Sequence, residues 1–221
     1  MSTASKPRAT PRPRRRRRQA DRSAATRSRL LEAVVEAIAR DGFAQTSAKR
    51  IAEQAGLSWG AVQHHFGGKT EILEAVLEHG LARLESAFED VDPAGLDLDE
   101  RARLFVERAW RHYRSRHYRS TLEIILGMRR EADGEPADPV HERMVAGVDR
   151  LWRRVFDDVD VDATARLDAQ VFAFATLSGL AVQCILQRGD ANIDRQLDTL
   201  ARTIVTLLAG ADAADPRRNP S

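Results

Sequence analysis

A single cysteine, Cys184, stands in 221 residues. That excludes an intramolecular disulfide and any multi-cysteine zinc site, fits a reducing, cytoplasmic setting, and reads more simply as a small buried hydrophobe than as a redox sensor. Apolar stretches are short and broken by Arg, Asp or Gln, so none approaches the roughly 20 residues of a membrane helix, and no membrane partner is expected. The basic start lacks an apolar core and is no secretory signal. Catalytic sets are also missing. His112 and His117 are five apart, which does not align them as paired zinc ligands on one helical face, and they read as surface histidines. There is no carboxylate–His–nucleophile pattern and no phosphate-cradling glycine loop. The expectation is no catalytic residue, no metal and no cofactor.

What is present is an uneven charge distribution. The net charge of +2 conceals eleven basic residues against Asp21 within residues 1–30, a local +10, leaving −8 for the remainder. With Pro7, Pro11 and Pro13, this predicts a disordered basic arm over residues 1–23. Such an arm can follow phosphates or enter a minor groove; a solubilising tail without contacts is the equally weighted alternative.

Hydrophobic residues make up 43% of the chain and charged residues 31%, enough for a small unit plus a larger helical domain. Periodicity is helical throughout, with no strand pattern, and predicts an all-α chain of about nine helices. Leu30/Leu31, Val34/Val35 and Ile38 mark a first helix from about 24 to 40. Ile72/Leu73, Val76/Leu77, Leu81, Leu84 and Phe88 mark a fourth over about 69–88, the expected mechanical link to the rest. Pro93 and Gly95 lie in a linker. Asp97 with Glu100 forms a capping box for a helix reaching about Arg116. Further helices follow at about 118–131, 140–156, 163–187 (capped by Asp162) and 192–209, with a frayed tail from 211. Two domains result, 24–88 and 96–210.

Between Thr46 and Lys69 the chain reads TSAKRIAEQAGLSWGAVQHHFGGK. Thr46 can cap one short helix with apolar Ala48, Ile51, Ala52 and Ala55. Gly56 supplies the permissive turn, and Ser58 can cap a second helix that Leu57 and Val62 would staple. This is the layout a helix-turn-helix needs to place one helix in a DNA major groove. Together with Gly42-Phe43, Thr46-Ser47, Ile51-Ala52, Gly56-Leu57-Ser58, Phe66 and Lys69, the segment from about Ala24 to Glu85 resembles the DNA-binding domain of the TetR family of bacterial transcriptional regulators. It departs from the family pattern at Trp59, Ala61, Gln63, His65 and Gly67, on the recognition helix, where the particular operator is read.

Gln63 is the first choice for reading a base edge, because its amide can donate to and accept from adenine together. Trp59 can lie along a sugar-phosphate strand or pack within the small domain; Gly60 and Ala61 admit a close approach or are helix filler. Thr46, Ser47, Arg50, His64, His65 and Lys69 are candidates for phosphate anchoring, and the capping Ser58 is counted with them among the DNA-binding residues. Lys69 at a helix N-terminus opposes the macrodipole unless an anion is near. Lys69 also matches the family's backbone-contacting position, whereas Phe66 reads as core.

In the last helix Ile193, Leu197, Leu200, Ile204 and Leu207 have coiled-coil-like spacing, and small residues Ala169, Ala173, Ala175, Ser178, Gly179 and Ala181 line the helix before it. By periodicity alone this serves a dimer or an intrachain core equally. The resemblance implies a homodimer with a four-helix interface, an inverted-repeat double-stranded DNA operator, and a small-molecule effector in the larger domain. Trp110, Tyr113, Ile125, Arg129, Trp152 and Phe172 are its candidate lining, with Leu122, Met128, Phe156 and Phe174 beside them. The competing readings are a helical dimeric adaptor and a small helical enzyme, neither of which accounts for the Thr46–Lys69 pattern.

Overall fold

In a computed structural model, residues 13–43, 46–54, 56, 58–131, 139–187 and 193–209 are described, and among them every regular element is an α-helix. The order is α1 (Pro13–Asp41), α2 (Ala48–Gln54), α3 (Trp59–Phe66), α4 (Lys69–Ser86), α5 (Leu98–Tyr113), α6 (Arg116–Glu131), α7 (Pro139–Phe156), α8 (Ala163–Gln187) and α9 (Ile193–Leu208). Helix α1 begins eleven residues before its expected start, inside the segment expected to be a disordered arm. Proline suits the first helical position and arginine is a good helix former, so the run after Pro13 can extend a helix that Leu30 to Ile38 anchor. Residues 1–12 and the tail from 210 lie outside the described residues.

Local sequence signals set several ends. Asp97 Oδ1 accepts from Glu100 N at 2.8 Å while Glu100 Oε2 accepts from Asp97 N at 3.0 Å, the reciprocal box that starts α5. Asp162 Oδ1 accepts from Thr164 N and Ala165 N and starts α8. Gly42 (φ +81°) ends α1 and Gly56 (φ +65°) forms the turn after α2, conformations that residues with a Cβ rarely adopt.

Two apolar clusters form. The first joins Leu30, Val34 and Ile38 of α1 to Ala52, Val62, Ile72 and Val76 of the next three helices, and takes in Ile124 of α6. The second centres on Phe105, Trp152 and Phe156, with Phe88, Ala169, Leu177, Leu200 and Ile204 around them. Phe105 meets Trp152 edge-on, ring centroids 5.1 Å apart, an arrangement aromatic quadrupoles favour. Cys184, expected to be buried, packs half-buried against this second cluster.

Two expectations about the last helices need correction. The apolar seam of α9 faces its own chain, with Leu200 and Ile204 buried against α5 and α8. A seam reports that one face is apolar and not whose surface covers it. The outward apolar stripe belongs to α8, where Leu167, Val171 and Leu186 are 57%, 58% and 77% exposed and Ala175 and Gly179 continue the line. Helix α8 is also long and apolar enough to cross a membrane by length and composition alone. The charged and amide interruptions noted in the sequence are sparse across its 25 residues, and alanines raise its hydropathy. Its buried side, Ala169, Ala173, Leu177 and Leu180, packs within the larger core.

Candidate nucleic-acid interface

Helix α3 is eight residues long, and its two sides differ. Val62 is fully buried and Phe66 packs half-buried against the first cluster, whereas Gly60, Gln63, His64 and Gly67 are exposed. Steps of three, one and three put those four on one helical face. Ser58 Oγ accepts from Ala61 N at 3.2 Å and caps the helix as expected. A Cβ placed on Gly60 would meet nothing nearer than Ser58 Oγ at 4.0 Å, so the outward face is open there. Ala61 and His65 are half-buried at the edge of this face. The side chain of Trp59 and all of Leu57 lie outside the described residues, and with them the expected staple.

The cap at α2 is displaced by one residue from the expected one. Thr46 is buried and its hydroxyl donates to Gly42 O at 2.8 Å, which closes the turn after α1. Ser47 Oγ accepts from Arg50 N at 3.2 Å and is the cap. Both residue types cap helices, so the sequence alone leaves that choice open. Ser47 and Arg50 are exposed, and Arg50 lies 3.7 Å from Asp41. Lys69 opens α4, and its Nζ sits 4.8 Å from the centre of the Phe43 ring. The anion required near this helix start is supplied within the chain: Glu71 Oε2 accepts from Gly68 N at 2.9 Å and offsets the macrodipole.

Three features that hold α3 and the helices around it escaped the sequence. Arg27 of α1 reaches the end of α3, with its guanidinium 4.4 Å from the Phe66 ring centre and Nη1 donating to His65 O at 3.4 Å. A cation there complements the negative end of the helix dipole. Second, α6 clasps α1 along its length. His117 lies 3.0 Å from the Glu32 carboxylate, Ser120 Oγ donates to Val35 O at 3.0 Å, and Glu123 Oε2 accepts from Phe43 N at 3.0 Å. Third, Gly127 admits the Phe43 ring so closely that a Cβ would stand 2.2 Å from it. The helix-turn-helix unit is therefore joined to the larger domain through α6 as well as α4, not through α4 alone. The partners across α6 are 80 or more residues apart and Arg27 is 38 from His65, so no periodicity could announce them.

His117 is buried and not a surface histidine. Burial lowers its pKa, and the Glu32 carboxylate opposes that shift. Burial alone would raise the pKa of Glu32, but hydrogen bonds with His117 and His79 hold it below the ordinary carboxylate range. His112 is half-buried, and burial, aided by the charges of His117 and Arg83, pushes it down to about 4.

The expected effector residues do not converge. Trp110, Tyr113 and Trp152 belong to the second cluster, Ile125 packs against the first, Arg129 is exposed, and Phe172 sits on the outward side of α8. A groove of about 580 Å³ does open between α5 and α9. Trp110, Val106 and Leu197 give it apolar walls, and Arg103, Arg111, Arg114, Asp194 and Asp198 give it charge of both signs. Of the candidates only Trp110 lines it.

The helix-turn-helix coincides with a family match: the model of bacterial regulatory proteins of the tetR family matches residues 30–76. TtgW of Pseudomonas putida, an uncharacterized HTH-type transcriptional regulator, is 30% identical over 147 residues, covering 63% of this chain and 98% of that protein. The chain belongs to the TetR family. TtgR, an HTH-type transcriptional regulator of the same species, is 35% identical over 85 residues, 36% of this chain and 40% of TtgR. The chain thus matches less than half the length of TtgR. Among solved TetR-like folds, a transcriptional regulator from Rhodococcus sp. Rha1 superposes with a TM-score of 0.63 at 20% identity, over 81% of this chain and 96% of that one. That likeness shows the fold. Of the departures from the TetR family pattern on and just after α3, Gln63 and Gly67 are exposed and Ala61 and His65 half-buried.

Proposed function

We propose that this chain is a dimeric transcriptional regulator that reads an inverted-repeat operator through α3 and releases it when a small amphipathic molecule binds the larger domain. The observation that carries the reading is the outward face Gly60–Gln63–His64 on a capped helix whose opposite side, Val62 and Phe66, is seated in its own small core. A narrow glycine-containing face lets the helix enter a major groove, and Gln63 offers an amide to a base edge. Ser47, Arg50 and Lys69 flank it as phosphate anchors, and the arginine run at the start of α1 adds charge without sequence information. Thr46 contributes by shaping the turn. The outward stripe of α8 is the surface that supports dimerisation, and the groove beside Trp110 supports an effector with both apolar and charged parts.

Two substitutions test this reading by their contrast. Gln63→Ala should relax preference at one base step, worth about 1–3 kcal/mol. Lys69→Ala should weaken all sequences alike and flatten the slope of log K against log salt by about one unit. If both variants bind every operator as the parent does, α3 is not the reading helix.

A further inference from the structure

Glu32 of α1, His79 of α4 and His117 of α6 bring one oxygen and two ring nitrogens within 4.8 Å of one another. His79 Nε2 lies 3.2 Å and His117 Nε2 3.0 Å from the same carboxylate oxygen. Around a tetrahedral zinc ion with bonds of about 2.0–2.1 Å, neighbouring ligand atoms stand about 3.3 Å apart. The two edges to the carboxylate oxygen are thus already near those of such a site, and the two ring nitrogens lie within 4.8 Å of each other. Two imidazoles and one carboxylate are a donor set suited to zinc, nickel or cobalt and ill suited to calcium or magnesium, which take oxygen.

We propose that Glu32, His79 and His117 form a binding site for a divalent transition-metal ion of the zinc class, with a fourth position left to water. It stands independently of the DNA-binding reading. On binding, each neutral ring carries its proton on Nδ1 and presents Nε2 to the metal. His117 is held in place by burial, and His79 is half-buried, so an ion has a route in from the α4 side. Two guanidiniums compete for the carboxylate, Arg83 and Arg116, each 3.7 Å from it. Neither is committed there. Arg116 has a closer partner in Glu36 at 3.1 Å, and the Arg83 side chain is half exposed. Because the three ligands come from three helices, an ion would fasten α6 to α1 and α4, the pair of helices that flank the reading motif.

The test uses the full-length protein, stripped with chelator and titrated with Co²⁺ while the visible absorption of the bound ion is followed. One Co²⁺ per chain should bind, be displaced by Zn²⁺ and raise the melting temperature. His79→Gln leaves the core intact and should weaken binding more than the roughly 10- to 100-fold that outer-sphere changes cost. His117→Gln should do the same, with helix content by circular dichroism confirming that each variant folds. Arg83→Gln removes a competing cation and should tighten binding severalfold. Absence of saturable Co²⁺ binding, or an affinity unchanged in folded His79→Gln, overturns the site.

Discussion

Placing a methyl group on Gly127 probes the junction between the helix-turn-helix unit and the larger domain. In an exposed helix interior, Gly→Ala gains up to about 1 kcal/mol of stability, because alanine has less backbone entropy to lose. Here the added Cβ would stand 2.2 Å from both Cδ1 and Cε1 of Phe43 and 2.8 Å from its Cζ. The ring must move, and overpacking of this kind costs about 1–3 kcal/mol. The net effect of Gly127→Ala is therefore a loss of about 1 kcal/mol, a fall of about 2–4 °C in melting temperature for a chain of this size. Phe43→Ala removes the obstruction, so Gly127→Ala made in that background should stabilise by several tenths of a kcal/mol. A change of sign across the double-mutant cycle is the signature. Urea or thermal unfolding of the four proteins measures it. If Gly127→Ala stabilises the parent as much as it stabilises Phe43→Ala, the close packing of α6 on Phe43 is refuted. The same displacement moves the ring beneath Lys69 Nζ, 4.8 Å away, so Gly127→Ala should also weaken DNA binding in proportion to the strain.

Two further outcomes follow from the other faces of the molecule. Val171→Asp puts a charge in the centre of the exposed α8 stripe, and sedimentation or light scattering should then find monomers, with helix content unchanged; persistence of a dimer would place the interface elsewhere. His112 binds its proton at about 4 in the folded chain and at about 6.5 when unfolded. The unfolded state therefore takes up the proton first, and stability falls as pH drops from about 6.5 to about 4, by up to about 3 kcal/mol. His112→Gln should flatten that part of the stability curve relative to the parent, whereas identical curves would show that burial does not penalise the charged ring.

The elements were legible where their signals are local. The Asp97–Glu100 box, the Asp162 cap, the Gly56 turn and the Ser58 cap each depend on residues within four positions, and the structure uses all of them. The exposed Gln63 and buried Val62 likewise follow from helical period once α3 is assigned. What could not be read depends on which surfaces meet. The α9 seam has the spacing of an interhelical contact, yet its partners are α5 and α8 of the same chain. His117 reads as a surface residue because its partner Glu32 is 85 residues away. Phe43 and Gly127 look like an ordinary aromatic and a helix-weakening glycine until they are seen to interlock. That Trp110, Tyr113 and Trp152 share one core while Ile125, Arg129 and Phe172 lie elsewhere has the same reason, since an aromatic set in helices is a core before it is a pocket.

The central claim, that α3 of a two-fold dimer reads DNA, is tested most directly by selecting genomic fragments bound by the purified full-length protein and sequencing them. The account predicts one enriched inverted repeat, with half-site centres about 34–36 Å apart along the duplex or a multiple of that spacing. Enrichment should vanish with Gln63→Ala at the base step it reads. Fragments without a shared motif, or a motif without two-fold symmetry, would contradict it.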